Sequence, residues 1–248
     1  MAGAWDGVTV TYLEIADSAS LSLPGAGWSW ICNFYYDTGE TEQTFQYLYS
    51  HAQPLQSLAA INVMAQADGV GGHEIRAIVD VDFANAADFT SSNALNADAW
   101  NTVILAYDGV DLHLWLNGTL TTASPFALGA IDPAGVARIG YAVHGGSRVW
   151  RGRIAHMAKM DYFIFDADAG HISDDLFVDP QYLVPLVWHS QIFNTNNFTD
   201  MQGNVTITES SMVYGRHSPT VYQGDSQGEG FGAPPPLPGI RRAYYVAA

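Results

Sequence analysis

A flat aromatic ring on an open strand can stack against a sugar, while guanidinium and imidazole groups beside it bond to the hydroxyls. Four residues have that character. His113 and Trp115 lie opposite Leu112, Leu114 and Leu116 on one strand, and Arg148 and Trp150 open a later strand that can join them. The competing reading, and the favoured one, covers these rings beneath a C-terminal extension or in a second inner layer.

Catalytic chemistry is poorly supplied. No phosphate-cradling glycine loop begins a helix. The eight histidines are not spaced with Cys, Asp or Glu as in zinc sites, so no metal ligand is assigned. Of the glutamates Glu14, Glu40, Glu42, Glu74, Glu209 and Glu229, only Glu40 and Glu42 stand at strand spacing, and they fall in a turn. Asp80 and Asp82 share one face of a strand end and read as a solvated edge. The expectation is a protein that is not an enzyme.

The elements that must carry these residues are short and apolar-alternating. Val8–Ile15, Ser20–Leu23, Trp28–Tyr36, Thr44–Tyr49, Ile61–Ala65 and Glu74–Val81 read as strands, separated by turns such as Pro24-Gly25-Ala26-Gly27. Residues 84–98, rich in Ala, Asn, Asp and Ser, read as a loop. The clearest segment is Trp100–Gly118: Val103, Leu105 and Tyr107 alternate, Asp108-Gly109 turns the chain, and Leu112, Leu114 and Leu116 alternate back. Asn117-Gly118 then supplies the positive φ values for a second tight turn, with Thr119–Thr122 pairing back. Further strands are expected at Ala137–Val143, Arg148–Met157 and Asp161–Phe165, with one short helix at Asp168–Leu176. Trp30 and Trp100 read as core residues.

Composition narrows the partners. Nine basic against 25 acidic residues give a formal charge of −16, which repels nucleic acid and anionic membranes. Arg138, Arg148, Arg151 and Arg153 nevertheless form one local basic strip, read as ordinary solvated strand charges. Cys32 is a lone thiol in an apolar run and reads as core. The N-terminal residues suggest no signal peptide, and no apolar run is long enough for a membrane span. Residues 1–222 are expected to form one domain and 223–248 a Gly/Pro-rich linker with a C-terminal arm. There Pro234–Pro236 and Pro238 form a stiff spacer, and the arm around Pro236, Ile240, Arg241, Arg242, Tyr244 and Tyr245 would dock on a neighbouring subunit or on its own sandwich.

A tryptophan leading an alternating strand, then Tyr107-Asp108-Gly109, Leu116-Asn117-Gly118, Arg138-Ile139-Gly140 and Trp150-Arg151-Gly152-Arg153-Ile154, resembles laminin G-like domains of the concanavalin A-like superfamily over about residues 1–165. The resemblance implies an all-β, antiparallel jelly-roll β-sandwich, here with an extended C-terminal tail. Members that cleave β-glucans carry a Glu-x-Asp-x-x-Glu array, which this sequence lacks. Many members hold calcium through loop aspartates, so calcium is a candidate cofactor without an assigned ligand. Residues 183–217 are similar to C-terminal extensions of phage and environmental bacterial members, and Leu183–Trp188 is expected to return as a late strand near the N-terminal one. The implied role is a virion component, as a capsid decoration, head-fibre or tail-associated protein, whose partners are other virion proteins or copies of itself. The alternative is a free carbohydrate-binding module, extracellular or at a cell surface.

Overall fold

The computed structural model describes residues 2–6, 12–38, 45–52, 59–69, 72–80, 86–123, 131, 135–143, 148–164, 169, 186–191, 206–210 and 213–215. Its strands, in chain order, are β1 (Ala2–Asp6), β2 (Tyr12–Ile15), β3 (Trp28–Tyr36), β4 (Phe45–Ala52), β5 (Ala59–Ala67), β6 (His73–Asp80), β7 (Ala86–Thr90), β8 (Ala99–Tyr107), β9 (Leu112–Leu116), β10 (Thr119–Ala123), β11 (Ala137–Ile139), β12 (Arg151–Met160), β13 (Leu186–Gln191), β14 (Ile207–Ser210) and β15 (Val213–Gly215). They form two antiparallel sheets. One runs β10-β9-β8-β3-β12-β1-β15, with β13 also on β12; the other runs β14-β2-β11-β4-β5-β6-β7.

The alternation seen in the sequence is the alternation of the walls. From the first sheet Trp28, Trp30, Cys32, Phe34, Val103, Leu105, Leu112, Leu114 and Leu116 face inward; from the second come Leu13, Ile15, Val63, Ile75, Ala77 and Val79, all buried in one cluster. Rings lock the interface: Phe34 meets Trp150 edge-on at 5.2 Å, and Trp30 tilts on Tyr49 at 5.5 Å. Strand β3 is buried on both faces, because a strap after β12 crosses the outside of its sheet. Ser29 Oγ donates to the Tyr162 carbonyl (2.8 Å) and accepts from the Ile164 amide (2.9 Å), which seats Ile164 on Ile31, Ile104, Trp115 and Met160.

Several expectations are corrected. Residues 86–90 form β7 rather than loop: Ala87 and Phe89 turn to the core while Asp88 meets Arg76 of β6 on the other side, so tertiary partners make the strand. Segment 20–23 is a 3-10 turn capped by Ser18, with Leu23 bridged to Ile131, and residues 161–164 are the strap rather than a strand. Trp100 is not core. It shares the parity of Thr102 and Ile104 and lies half-buried on the outer face.

The late strand β13 pairs with β12 at residues 156–160, while β1 pairs with β12 at 151–154, so the two lie end to end along one side of β12. Strands β14 and β15 join β2 and β1, which brings the chain as far as Gly215 into the sandwich. Of the expected helix only Ala169 is described, and its backbone is helical. Among the described residues no helix is long and apolar enough to cross a membrane.

At one end of the sandwich an amide network sets the loops. Asn117, at φ 50°, accepts from the Thr102 amide (2.9 Å) and donates to Asn101 Oδ1 (2.8 Å); Asn101 in turn holds the amide and carbonyl of Asn96. Ser92 and Asn93 then tie β7 to β10 and β9, through Thr121 Oγ1 and the Leu116 carbonyl.

Candidate functional site

The four residues singled out for sugar stacking do not form one surface. His113 and Trp115 do share the outer face of β9, their rings stacked at 5.5 Å, but Phe163 of the strap lies 5.0 Å from His113 and Trp115 is only 1% exposed. Trp150 faces the other way. It shares the parity of Ile154, and its fully buried ring packs between the sheets on Phe34 and Tyr36. Arg148 sits on the second sheet, because the chain crosses between sheets just there, from β11 to β12.

Arg148 has aromatic partners that sequence reading missed. Its guanidinium donates to the Tyr47 hydroxyl (3.2 Å) and lies 5.6 Å from the Phe45 ring centre and 6.0 Å from that of Tyr47. A bulge between Tyr47 and Tyr49 reverses the parity of β4, which turns Tyr49 to the core and leaves Phe45 and Tyr47 on the outer side with Met64, Ile78 and Ala142. Arg76 approaches Phe45 as well (5.7 Å), and it grips Asp88 with two nitrogens, which raises the pKa of its guanidinium. Gln66 bonds both Arg76 and Glu74.

A second cation–aromatic group crosses the first sheet at the same end. Arg153 on β12 lies 4.5 Å over the Tyr35 ring on β3, and Tyr35 meets Trp100 on β8 edge-to-face at 5.7 Å. The register pairs Arg153 with Tyr35 and Tyr35 with Trp100, so the three stand in one row across adjacent strands. All three are half-buried. The signal was in the sequence: Tyr35 is the odd-numbered ring in a run whose even positions, Trp28 to Tyr36, fill the core. Gly152, at φ 112°, permits the close approach, since a Cβ there would stand 2.0 Å from the Tyr35 carbonyl oxygen.

The structure also gathers Asp108, Asp111 and His113 within 4.8 Å, a cluster that the spacing argument passed over. Asp108 Oδ1 accepts from the Val110 and Asp111 amides (both 2.7 Å), and Oδ2 meets His113 Nε2 at 3.2 Å. Burial works to raise the Asp108 carboxyl, but these bonds outweigh it and hold its pKa below the ordinary value. Calcium requires six to eight oxygen donors. An imidazole and a carboxylate already engaged with amides do not fit it, although Asp111 Oδ1 is buried without a hydrogen-bond partner. The proposed arm, Pro236, Ile240, Arg241, Arg242, Tyr244 and Tyr245, lies outside the described residues.

Comparison with known proteins gives one family match: the model for the concanavalin A-like lectin/glucanases superfamily, laminin G type, matches residues 6–167. Among solved structures, the chain is similar to a candidate carbohydrate binding protein from Bacteroides ovatus ATCC 8483 (TM-score 0.63, 12% identity, covering 86% of this chain and 58% of that one). It is similar to a heptameric SAP-like pentraxin from Limulus polyphemus (0.54, 14%, 69% and 81%). It is also similar to domain 4 of an extracellular arabinanase from Geobacillus stearothermophilus, solved with arabinotriose (0.50, 10%, 70% and 76%). No curated protein matches the chain.

Proposed function

The chain belongs to the concanavalin A-like lectin/glucanases superfamily, and from that premise we propose that it is a non-enzymatic module that recognises a glycan and is carried on a larger assembly. The row Arg153–Tyr35–Trp100 carries the reading. Two half-buried rings and a guanidinium on rigid neighbouring strands supply a stacking surface and hydrogen-bond donors without an ordering cost on binding. The likeness to a domain solved with arabinotriose supports a sugar as the ligand. Against hydrolysis, Glu14, Glu74 and Asp88 on the second sheet are engaged by Arg138, Gln66 and Arg76, whereas a glycosidase needs two carboxyl groups facing one bond.

The assembly we propose is a virion or similar particle, with residues 223–248 as the docking arm. Support comes from the tail's sequence, a polar glycine-rich stretch, a proline run and an Ile240–Val246 segment rich in β-branched and aromatic residues, and from β14, an edge strand with β2 as its sole strand neighbour among the described residues. Glycan-array binding by the full chain, with and without calcium, tests the first part. Binding that Trp100→Ala and Tyr35→Ala each reduce at least about tenfold supports it; wild-type protein that binds no glycan, or binding indifferent to both variants, removes it. Truncation after Gly232 tests the second: a folded sandwich that no longer joins its particle supports the arm, and unchanged assembly removes it.

A further inference from the structure

We propose that Arg148 is the recognition point for an anionic group on a sugar, a uronate carboxylate or a sulfate ester; the inference rests on the glycan reading but uses the opposite sheet. In a chain with 25 acidic side chains, an exposed arginine that pairs with none of them is open to an anion from outside. Arg76 and Arg138 are paired, with Asp88 and Glu14, and Lys159 is paired with Asp161. Among the described residues Arg148 has no such partner; its one hydrogen bond goes to the neutral hydroxyl of Tyr47.

That bond and the two rings fix the group in place. Tyr47 is buried against Met64 and Ala142, so its hydroxyl is a rigid anchor, and the Phe45 and Tyr47 rings lie within 6.0 Å of the guanidinium. A guanidinium offers five N–H donors in a planar fork. One is used, and the remainder belong to an exposed side chain. Of the nearby acids, Asp88 is gripped by Arg76 and Glu74 accepts from Gln66, and neither pairs with Arg148. An anion that presents two oxygens side by side, as a carboxylate or a sulfate ester does, is the partner that such a fork fits.

The test compares binding of the full chain to immobilised dextran, dextran sulfate and polygalacturonate, for wild type, Arg148→Ala, Arg148→Lys and Arg138→Ala. The expected result is that one of the two anionic polymers binds wild type at least about tenfold more tightly than dextran, that Arg148→Ala removes this preference, and that Arg148→Lys restores only part of it, since an ammonium keeps the charge and loses the fork. Arg138→Ala, which removes the same charge from a residue paired with Glu14, should leave the preference intact. Which polymer is preferred separates sulfate from carboxylate. The proposal is overturned if wild type prefers neither, if Arg148→Ala keeps the preference, or if Arg148→Ala and Arg138→Ala reduce it equally, which would be diffuse charge attraction. Loss of neutral-glycan binding in Trp100→Ala bears on the Arg153–Tyr35–Trp100 row alone.

Discussion

Gly152→Ala puts a methyl group into the seam between β12 and β3, where the structure leaves no room for one. The added Cβ would stand 2.0 Å from the Tyr35 carbonyl oxygen, 3.1 Å from its carbon and 3.3 Å from the Asp37 amide, all backbone atoms that cannot rotate away. To reach ordinary contact the strands must separate by roughly 1 Å or more, which breaks the neighbouring ladder bonds at about 1 kcal/mol each. The φ of 112° adds strain of about 1–3 kcal/mol for a residue with a side chain. The expected loss is about 4 kcal/mol, a large part of the ~5–15 kcal/mol that holds a domain of ordinary stability. Gly69→Ala is the matched control: its φ is 80° but nothing lies within 4 Å of the new Cβ, so about 1 kcal/mol of strain is all it should cost. Urea unfolding of both variants measures the difference. A Gly152→Ala loss below about 1.5 kcal/mol, or losses equal in the two variants, would refute the close approach of β12 to β3.

Three further outcomes are expected. Trp30→Ala should cost about 3–5 kcal/mol in urea unfolding and Trp100→Ala only about 1–2, because one ring is in the core and the other half-exposed on a sheet face; equal losses would contradict that placement. Asn117→Gly keeps the positive φ but deletes the bonds to the Thr102 amide and to Asn101, for a loss of about 1–3 kcal/mol by thermal unfolding; no loss would show that the amide network is idle. Lys159 is buried, and burial outweighs its bond to Asp161 and lowers its pKa below the ordinary 10.5. Its folded form therefore gives up the proton before the unfolded form does, so its contribution to stability rises as pH climbs through the window below 10.5. Lys159→Met should lack that rise; parallel stability profiles for wild type and variant between neutral pH and 10.5 would defeat the argument.

Where each strand keeps its period the sequence was readable. Val103, Leu105 and Tyr107 against Leu112, Leu114 and Leu116 gave the β8–β9 hairpin directly, and the inward side of β3 followed from its tryptophans. Reading failed where parity changes or where partners are remote. The bulge in β4 hid the outward placing of Phe45 and Tyr47, and nothing local to Arg148 announces rings 101 residues earlier in the chain. Segment 86–90 has too little apolar content to read as a strand, and β6 and the Arg76–Asp88 pair supply what it lacks. His113 and Trp115 were placed on the correct face and expected to be covered, but the cover is Phe163 and Ile164 rather than a C-terminal extension, a tertiary event that β9 itself does not encode.

The order of the first sheet has a consequence for synthesis of the chain. Its central strand β3 is flanked by β8 and β12, and Ser29 is in register with Met160. The N-terminal strand β1 finds its partners only at Arg151–Ile154 and Val213–Gly215. Strand β3 must wait for β8, and β1 for β12 and β15, so the first strands of this sheet stay unpaired until distant segments emerge. Such distant pairings slow folding and lengthen the time for which unpaired strand edges are open to other chains. Production at low temperature, where chains meet less often during that interval, should therefore raise the soluble yield more than any change at the surface of the finished sandwich.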